Sequence, residues 1–531
     1  MQKESVLQVL VLLGISVVVL VPLARRLGVA APVVLLVGGV PLAFVPWLAH
    51  VRLPSEVVLL IFLPMLLYWE CFNTSLREIR ANLRVVMLNS VFLVLATAGA
   101  VAVAAHAMGL SWPVAWVLGA VVAPTDATAV AAVVRRMPRR QITILRAESL
   151  INDGTALVLF AIAVEVASRG EPFGWPQAIG AFVLSYLGGA TAGLVVAWLT
   201  VRARALMRDP LLENMVNVLA PFAAFLLAEQ IHASGVLAVV VCGLALSQIN
   251  PRVMPARTRV PIRAFLQLTA FMLNGALFVL IGLQLRGAVE DLVSYSLAAA
   301  VAQALLISAV VIGTRLLWSY TTPYVVRAVD RRPQQRLRRI GARQRLPVAW
   351  AGFRGGVSLA AALAVPAAMP GRDLIVIVTF GVILVTTVVQ GLTLPAVLRW
   401  SRLPEDGSEL DEQRMAERAM AEAALAALPT EAARLGVSDE VVERMQSELE
   451  QRLAELDSAD TSARGASSLE PEDRSPRIQQ KLLHKALLAE KRATLVRLRD
   501  TRLIDDIVLR RLQARLDAEE MRYAAWKTES D

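Results

Sequence analysis

Four charged residues lie deep inside long apolar stretches, and two of them could form a cation site. Charge at this depth of a bilayer costs about 2.5–3.5 kcal/mol per residue on insertion scales, so such residues usually face a cavity or a partner. Asp126, in APTDATAV (123–130), lies 10 residues from the cytoplasmic end of its predicted helix. Asp153, in ESLINDGTALVLF (148–160), lies 12 residues from that end of the next helix. At about 1.5 Å per residue the depths agree within a few Å. Two carboxylates at one depth predict a site for a small cation and a proton.

The other two deep charges have opposite signs. Glu148 and Arg354 each lie seven residues into their predicted helices from the cytoplasmic side. Equal depth and opposite charge predict a structural ion pair. We assign it a scaffold role, because an arginine inside the site would repel a cation. Arg315, in another apolar stretch, is expected to extend its long side chain to the cytoplasmic surface.

Two helices are predicted to be interrupted. Pro124, Thr125, Asp126 and Thr128 break one helix, and GFRGG (352–356) breaks another. Proline removes a helical hydrogen bond, and each glycine costs roughly 1 kcal/mol in a helix. The breaks are seven helices apart, so their helices run in opposite directions, as in the midplane site of a secondary transporter. In the alternative interpretation, the glycines only allow close helix packing and the proline only kinks its helix. Together with Asp126 and Asp153, the pattern favours a transporter.

Composition indicates a membrane protein with a different C-terminal part. The 531 residues are 56% hydrophobic and 18% charged, and the mean hydropathy is +0.57. These values exclude a purely soluble enzyme, a disordered protein and a fibrous repeat. Residues 1–403 carry 34 Lys and Arg against 16 Asp and Glu, whereas residues 404–531 carry 20 against 28. The basic excess lies in short loops between apolar runs, which indicates membrane topology rather than nucleic-acid binding.

Several classes of site are not expected. The only cysteines, Cys71 and Cys242, lie inside apolar runs, so a disulfide framework is not predicted. The four histidines show no ligand spacing, and no Walker-type loop for ATP occurs. We therefore expect a non-enzymatic transporter without a cofactor.

Hydropathy predicts thirteen membrane spans of about 20 apolar residues each. They are 6–24, 29–48, 54–72, 84–107, 112–136, 141–167, 175–205, 213–232, 234–249, 263–286, 292–318, 347–369 and 373–399. With the N-terminus outside, the cytoplasmic loops hold 24 Lys and Arg and the outer loops hold 4, as the positive-inside rule requires. Spans 1–6 and 8–13 would form inverted six-helix repeats joined by span 7.

Residues 404–531 are predicted to be a helical cytoplasmic tail. Val441, Met445 and Leu449 follow helical spacing after Ser438 and Asp439, a candidate N-cap. Residues 458–476 have linker composition, and a long amphipathic pattern runs from Ile478 to about Met521. The pattern leaves open whether the tail regulates or dimerises the protein or is only a solvated helical pair.

Stretches spread over residues 1–403 resemble the monovalent cation:proton antiporter-1 family, which includes NhaP-type bacterial and animal sodium/proton exchangers. The matching stretches are LPMLLYWECFNTSLREIR (63–80), APTDATAV (123–130), AESLINDGTALVLF (147–160), AEQIHASGVLAVVVCGL (228–244), LNGALFVLIGLQL (273–285) and GFRGGVSLAAALAVP (352–366). The Asn152–Asp153 pair is quite specific. Residues 487–520 also resemble cytoplasmic tails of bacterial members.

The resemblance implies the fold of an all-α polytopic membrane protein with 13 transmembrane helices. A core domain would hold crossed, unwound helices 5 and 12. A second domain would form a homodimer in the inner cell membrane. The transported ligands would be monovalent cations and protons, and exchange would contribute to pH and sodium homeostasis.

The resemblance also assigns roles to individual residues. Asp153 would bind the cation and exchange the proton, and Asp126 would organise the site. The Thr125 main-chain carbonyl and the Ser149 hydroxyl would be ion ligands, and Asn152 and Glu70 would support the site. Glu148 and Arg354 match the structural ion pair of the family. The residues themselves leave open whether Glu70 faces the cavity or the membrane interface.

Family members with Asn-Asp at this place are generally electroneutral, exchanging one cation for one proton. A K⁺/H⁺ exchanger, or a mixed Na⁺, Li⁺ and K⁺ exchanger, shares the same architecture, and sequence does not separate them. An intramembrane aspartyl protease also uses two membrane aspartates, but it needs a GxGD-type motif and Asp153 lies in NDG. A cation channel is the remaining alternative. A channel needs no titrating carboxylate pair and would pass current, whereas an electroneutral antiporter passes none.

Overall fold

The computed structural model describes residues 3–45, 58–126, 137–169, 175–207, 209–329, 341–403, 408–457 and 474–525. Within these ranges the chain forms helices and short connections, and no strand. The chain divides into two compact units. Unit 1 comprises Met1–Phe72, Ile79–Leu246 and Ala264–Glu405, and unit 2 comprises Asn73–Glu78, Ser247–Arg263 and Asp406–Asp531.

The helices are numbered in chain order. They are α1 (Lys3–Leu27), α2 (Ala31–Leu42), α3 (Leu63–Asn73), α4 (Leu76–Ala81), α5 (Leu83–Ala107), α6 (Trp112–Val122), α7 (Arg139–Arg169), α8 (Trp175–Ala205), α9 (Pro210–Gln230), α10 (Gly235–Val253), α11 (Ala256–Glu290), α12 (Leu297–Val329), α13 (Ala342–Trp350), α14 (Gly356–Leu363), α15 (Arg372–Ser401), α16 (Ser408–Leu435), α17 (Asp439–Asp457), α18 (Arg474–Asp500) and α19 (Asp506–Ala525).

Nine helices of the described residues are long and apolar enough to cross a bilayer, namely α1, α5, α7–α12 and α15. The apolar helices α2, α3 and α6 are shorter. Parts of predicted spans 2, 3 and 5 (46–48, 54–57 and 127–136) lie outside the described residues. The all-helical membrane architecture is therefore confirmed, whereas the count of thirteen spans and the inverted repeat stay predictions.

Both predicted helix interruptions are present. α6 ends at Val122, and residues 123–126 are not helical. Proline at 124 has no N–H to continue the hydrogen-bond ladder of α6. Residues 351–355 separate α13 from α14. Thr128 of the first interruption lies outside the described residues.

The interrupted helix α6 lies at the centre of unit 1. It packs against α5, α7, α14 and α15, and eight of its eleven residues are buried. Small residues permit this: a Cβ at Gly119 would overlap the carbonyl of Ala98 on α5. Close approach through small residues is the usual way in which membrane helices gain packing contacts.

Unit 2 contains the four tail helices and the segments 73–78 and 247–263. Val441, Met445 and Leu449 of α17 are buried in an apolar cluster with Leu428 and Leu487, as their helical spacing predicts. A second cluster joins α16, α18 and α19. Most of the predicted linker (458–473) lies outside the described residues, and its last three residues belong to α18.

The amphipathic pattern over 478–521 is not one helix. α18 ends at Asp500, Arg502 adopts the left-handed conformation (φ 63°), and α19 begins at Asp506. The Asp505 carboxylate accepts the Ile507 N–H at 2.8 Å and so caps α19. A tight turn keeps the apolar spacing nearly in phase, which explains why the pattern looked continuous.

Within unit 2, buried tail carboxylates bind the segments 73–78 and 247–263. Asp505 accepts the Ser75 hydroxyl at 2.5 Å, and Asp506 accepts the Leu76 N–H at 3.0 Å, at the start of α4. Asp517 forms two hydrogen bonds with Arg259, at 2.7 and 2.5 Å. These contacts make the two segments and the tail one packed body.

The Asp517 interaction can be tested. Its side chain is buried and it also pairs with Arg492 at 2.9 Å, so Asp517→Asn leaves two arginines without their shared anion. Removal of one partner of a buried pair costs roughly 3–5 kcal/mol, and we expect about 3 because both arginines reach the surface. Amide hydrogen exchange in 247–263 and α19 of the full-length protein should then accelerate by about two orders of magnitude. Glu422→Gln, which removes one exposed pair with Arg418, should change it little. Equal exchange in the wild type and Asp517→Asn would contradict this account.

Candidate cation site

A small cavity inside unit 1 brings five of the predicted site residues together. It has a volume of about 60 Å³, and its walls include Glu70, Thr125, Asp126, Ser149 and Asp153. By the same measure one water needs roughly 10–15 Å³. The cavity therefore has room for a small cation and a few waters, but not for an organic substrate. Glu70 faces this cavity, which answers the question that its sequence position left open.

The two helix interruptions meet at this cavity. The Asp126 N–H donates to the Phe353 carbonyl at 2.8 Å, so each interruption supplies a group that the other lacks. Gly355 also lines the cavity, and a Cβ at this position would overlap the Asp126 carboxylate. The absence of a side chain at Gly355 is thus what lets the Asp126 carboxylate occupy its place.

Arg354 caps the broken end of α6. Its Nε donates to the Val122 carbonyl at 2.9 Å, and its Nη1 donates to the Gly352 carbonyl. Its Nη2 lies 3.4 Å from the Ala123 carbonyl. Helix C-termini leave carbonyls without partners, and a cation there is favoured by the helix dipole. Arg354 is fully buried, and it satisfies main-chain groups of both interruptions.

The predicted Glu148–Arg354 ion pair is wrong in its partner. Glu148 forms its salt bridge with Arg315, at 2.5 Å, and both side chains are buried. Arg354 interacts with Glu148 only through the longer-range electrostatic attraction. The expectation that Arg315 reaches the cytoplasmic surface is wrong for the same reason. The sequence misplaced Arg315 because span 11 was predicted to end at 318, whereas α12 continues to Val329 and so holds Arg315 well inside the helix.

Glu148 and its neighbours form a polar network. Its carboxylate also accepts the Asn89 amide at 3.1 Å and lies 3.4 Å from the Thr125 hydroxyl. The Asn152 amide donates to the Thr125 hydroxyl at 2.6 Å. Asn152 therefore lies behind Thr125 rather than among the residues that form the cavity wall. Its predicted supporting role is consistent with this position.

Ser149 and the Thr125 main chain are adjacent. The Ser149 hydroxyl donates to the Thr125 carbonyl at 2.8 Å. Both groups are oxygen donors of the kind that hard monovalent cations take, and both lie on the cavity wall with the two aspartates. Residues 123–126 are not helical, and the Thr125 carbonyl accepts its hydrogen bond from the Ser149 side chain instead.

Sequence reasoning missed three polar residues of the cavity, Arg146, Asn274 and Ser358. Arg146 lies on the same face of α7 as Ser149 and Asp153, at helical spacing, and it interacts electrostatically with Glu70. Asn274 projects from α11. A second cavity, of about 570 Å³, shares Leu66, Glu70 and Asn274 with the first. The i, i+3, i+7 spacing of Arg146, Ser149 and Asp153 was the signal that could have identified Arg146.

The partner of Glu148 can be identified by a double-mutant cycle. Glu148→Gln or Arg315→Gln alone leaves a buried charge without its main partner and should cost roughly 3–5 kcal/mol. The double variant should be more stable than the summed losses predict, with a coupling energy of about 1–3 kcal/mol. Thermal unfolding of the purified protein gives each value. The matched cycle with Arg354→Gln should show a smaller coupling, and purely additive losses for Glu148 and Arg315 would refute the pair.

Gly355→Ala tests the close approach at the cavity. The added methyl group must displace the Asp126 carboxylate, and misplacement by about 1 Å can lower a rate by about a hundredfold. We expect cation-driven proton flux in proteoliposomes to fall at least tenfold in a folded protein. Gly313→Ala on α12, where a Cβ meets nothing within 4 Å, is the control. Near-normal flux for Gly355→Ala would show that Asp126 does not need its observed position.

Comparisons with known proteins bear on these features. The family model "Sodium/hydrogen exchanger, transmembrane" matches residues 13–400. A protein of Mycobacterium tuberculosis named "Uncharacterized Na(+)/H(+) exchanger Rv2287" is 46% identical over 523 residues, which cover 97% of this chain and 96% of that protein. The Na⁺/H⁺ antiporter ApNhaP of Aphanothece halophytica is 32% identical over 375 residues, or 68% of each chain.

A solved structure shares the fold. The sodium proton antiporter MjNhaP1 from Methanocaldococcus jannaschii superposes with a TM-score of 0.58 at 18% identity. The match covers 75% of this chain and all of that chain. The family resemblance that the sequence motifs indicated is therefore confirmed. From the match over 13–400 and the apolar helices, we conclude that this chain is a multi-pass membrane protein of the sodium/hydrogen exchanger family, a family of ion antiporters.

Proposed function

We propose that the chain is a secondary antiporter that exchanges Na⁺ for protons across the cell membrane, with Asp153 as the group that holds the cation and the proton in turn. The observation that carries this proposal is the cavity of about 60 Å³ where two interrupted helices meet, lined by the buried Asp153 and the half-buried Asp126. The names of the related antiporters support Na⁺ as the substrate.

The proposed ligands are oxygen atoms of four residues. The carboxylates of Asp153 and Asp126, the Thr125 carbonyl and the Ser149 hydroxyl would surround the cation. The Ser149–Thr125 hydrogen bond of 2.8 Å holds two of these oxygens together. Asn152 positions Thr125, and Glu70, which lines both cavities, supports the site.

The formal charges support exchange of one cation for one proton. With every group ionised, Asp126, Asp153, Glu70 and Arg146 give the cavity a charge of −2. Arg315, Arg354 and Glu148, behind Thr125, contribute +1. One further positive charge balances the remaining −1, and a proton or a monovalent cation supplies it equally well. Electroneutral exchange follows if the site changes its access only when this charge is present.

Alternating access would come from movement of the helices that carry the site. Asp153 lies on continuous α7, whereas Asp126 lies on the interruption after α6. Secondary transporters of this architecture commonly move one helix bundle against another around a midplane site. We further propose an outward-facing N-terminus, a cytoplasmic tail and a homodimer in the inner membrane. The excess of Lys and Arg in alternate loops supports that orientation.

Asp153→Asn tests the mechanism. The substitution keeps size and hydrogen bonding but removes the titratable charge, so Na⁺- or Li⁺-driven proton flux in proteoliposomes should be abolished. In the wild type, raising the proton concentration should raise the apparent KM for the cation, because both ligands compete for one carboxylate. Flux measured with Na⁺, Li⁺ and K⁺ at several pH values provides both results and the selectivity.

The control is Asp291→Asn, which removes an exposed carboxylate on the connection after α11 and should leave flux unchanged. Both variants must elute and unfold like the wild type. Normal exchange by folded Asp153→Asn would disprove the proposed role and leave Asp126 or Glu70 as the exchanging group. A current carried by the cation without proton movement would instead indicate a channel.

A further inference from the structure

A second polar cavity lies at one end of unit 1, away from the aspartates. It has a volume of about 250 Å³, and its walls come from the first turns of α5, α7 and α13 and the last turns of α12. The proposed orientation places these helix ends on the cytoplasmic side.

Three arginines, Arg84, Arg140 and Arg345, line the cavity, and none of the described lining residues is acidic. The Arg140 Nε donates to the side-chain amide oxygen (Oδ1) of Asn82 at 2.9 Å, which orients its guanidinium. The Arg345 guanidinium lies 5.7 Å from the centre of the Tyr324 ring. Planar guanidinium groups held in this way suit bidentate binding of phosphate oxygens.

The other half of the cavity wall is apolar, and exposed apolar residues surround the opening of the cavity on this side. Val85, Val326 and Ile144 contribute to the wall. Val85 itself is 39% exposed, and Val325, next to Val326, is 61% exposed. In a membrane-spanning unit such residues face lipid chains. The cavity therefore combines a site for an anion with an apolar exit.

The size fits a headgroup rather than a whole ligand. Pockets that bury a drug-sized molecule usually have roughly 300–1,000 Å³, and this one is smaller. A glycerophosphate group can enter while its acyl chains remain outside along α5 and α12. Basic pockets between membrane helices on the cytoplasmic side are typical binding places for anionic lipid headgroups.

We propose that this cavity binds the headgroup phosphate of an anionic phospholipid, with Arg84, Arg140 and Arg345 as the phosphate-binding residues. The proposal rests on the membrane orientation proposed above but not on the cation mechanism. The wall also connects to the buried network near the site. The Trp318 indole N–H donates to the side-chain amide oxygen (Oδ1) of Asn89 at 3.2 Å, and the Asn89 side-chain NH₂ donates to the Glu148 carboxylate. A lipid in the cavity would thus contact residues that hold the Glu148–Arg315 pair.

Native mass spectrometry of the delipidated full-length protein tests the proposal. With added phosphatidylglycerol, the wild type should retain one lipid per chain under conditions that remove phosphatidylcholine. Arg84→Gln/Arg345→Gln should weaken this binding by about tenfold or more for each arginine removed, as expected for charge-assisted hydrogen bonds. Arg25→Gln/Arg26→Gln removes two exposed arginines at the end of α1, which the proposed orientation puts on the same side, and should bind like the wild type.

Two further variants separate lipid binding from misfolding and from transport. Val326→Trp fills the apolar half and keeps every charge, so it should weaken phosphatidylglycerol binding even if the arginine variant folds poorly. Asp153→Asn should bind the lipid normally, which separates this proposal from the transport mechanism. Equal binding by the wild type and Val326→Trp, or equal loss in both arginine double variants, would overturn the proposal. Equal stabilisation of the wild type by inorganic phosphate would overturn it in favour of a soluble anion.

Discussion

The structure depends on how two broken helices satisfy their main-chain groups inside a membrane. An unpaired N–H or C=O in hydrocarbon costs several kcal/mol, so a helix cannot end there unless a partner is present. Here the partners are mutual: Arg354 covers the last carbonyls of α6, and the Asp126 N–H bonds to Phe353. The cavity exists because these bonds hold both interruptions open at one point.

This arrangement explains why buried arginines are tolerated beside a cation site. Arg354 uses its donors on carbonyls, and Arg315 pairs with Glu148. Both lie on the far side of Thr125 from the cavity, in the polar network that includes Asn152. Their charge offsets part of the negative charge of the aspartates without occupying the place of the cation. The network therefore fixes the geometry and the charge of the site together.

The sequence predicted those features of the site whose residue types are energetically unfavourable in a membrane helix. Charges such as Asp126 and Asp153 in apolar runs, and Pro124 or GFRGG within helices, are expensive unless they serve a site, and the structure brings them to one cavity. The partner of Glu148 was predicted wrongly because α12 continues to Val329, beyond the end of span 11 predicted at 318, so Arg315 lies deeper than the sequence indicated. Arg146 was missed although its spacing from Asp153 placed it on the same face. The split between α18 and α19 was hidden because a short turn preserved the apolar spacing.

The central claim is that one carboxylate gives up its proton when the cation binds. Isothermal titration of Na⁺ or Li⁺ into the purified protein, repeated in buffers of different ionisation enthalpy, measures the protons released for each cation bound. At a pH where Asp153 is protonated before binding, the account predicts close to one proton per cation in the wild type and no cation-linked release in Asp153→Asn. Cation binding to the wild type without proton release at any pH, or undiminished release in Asp153→Asn, would contradict it.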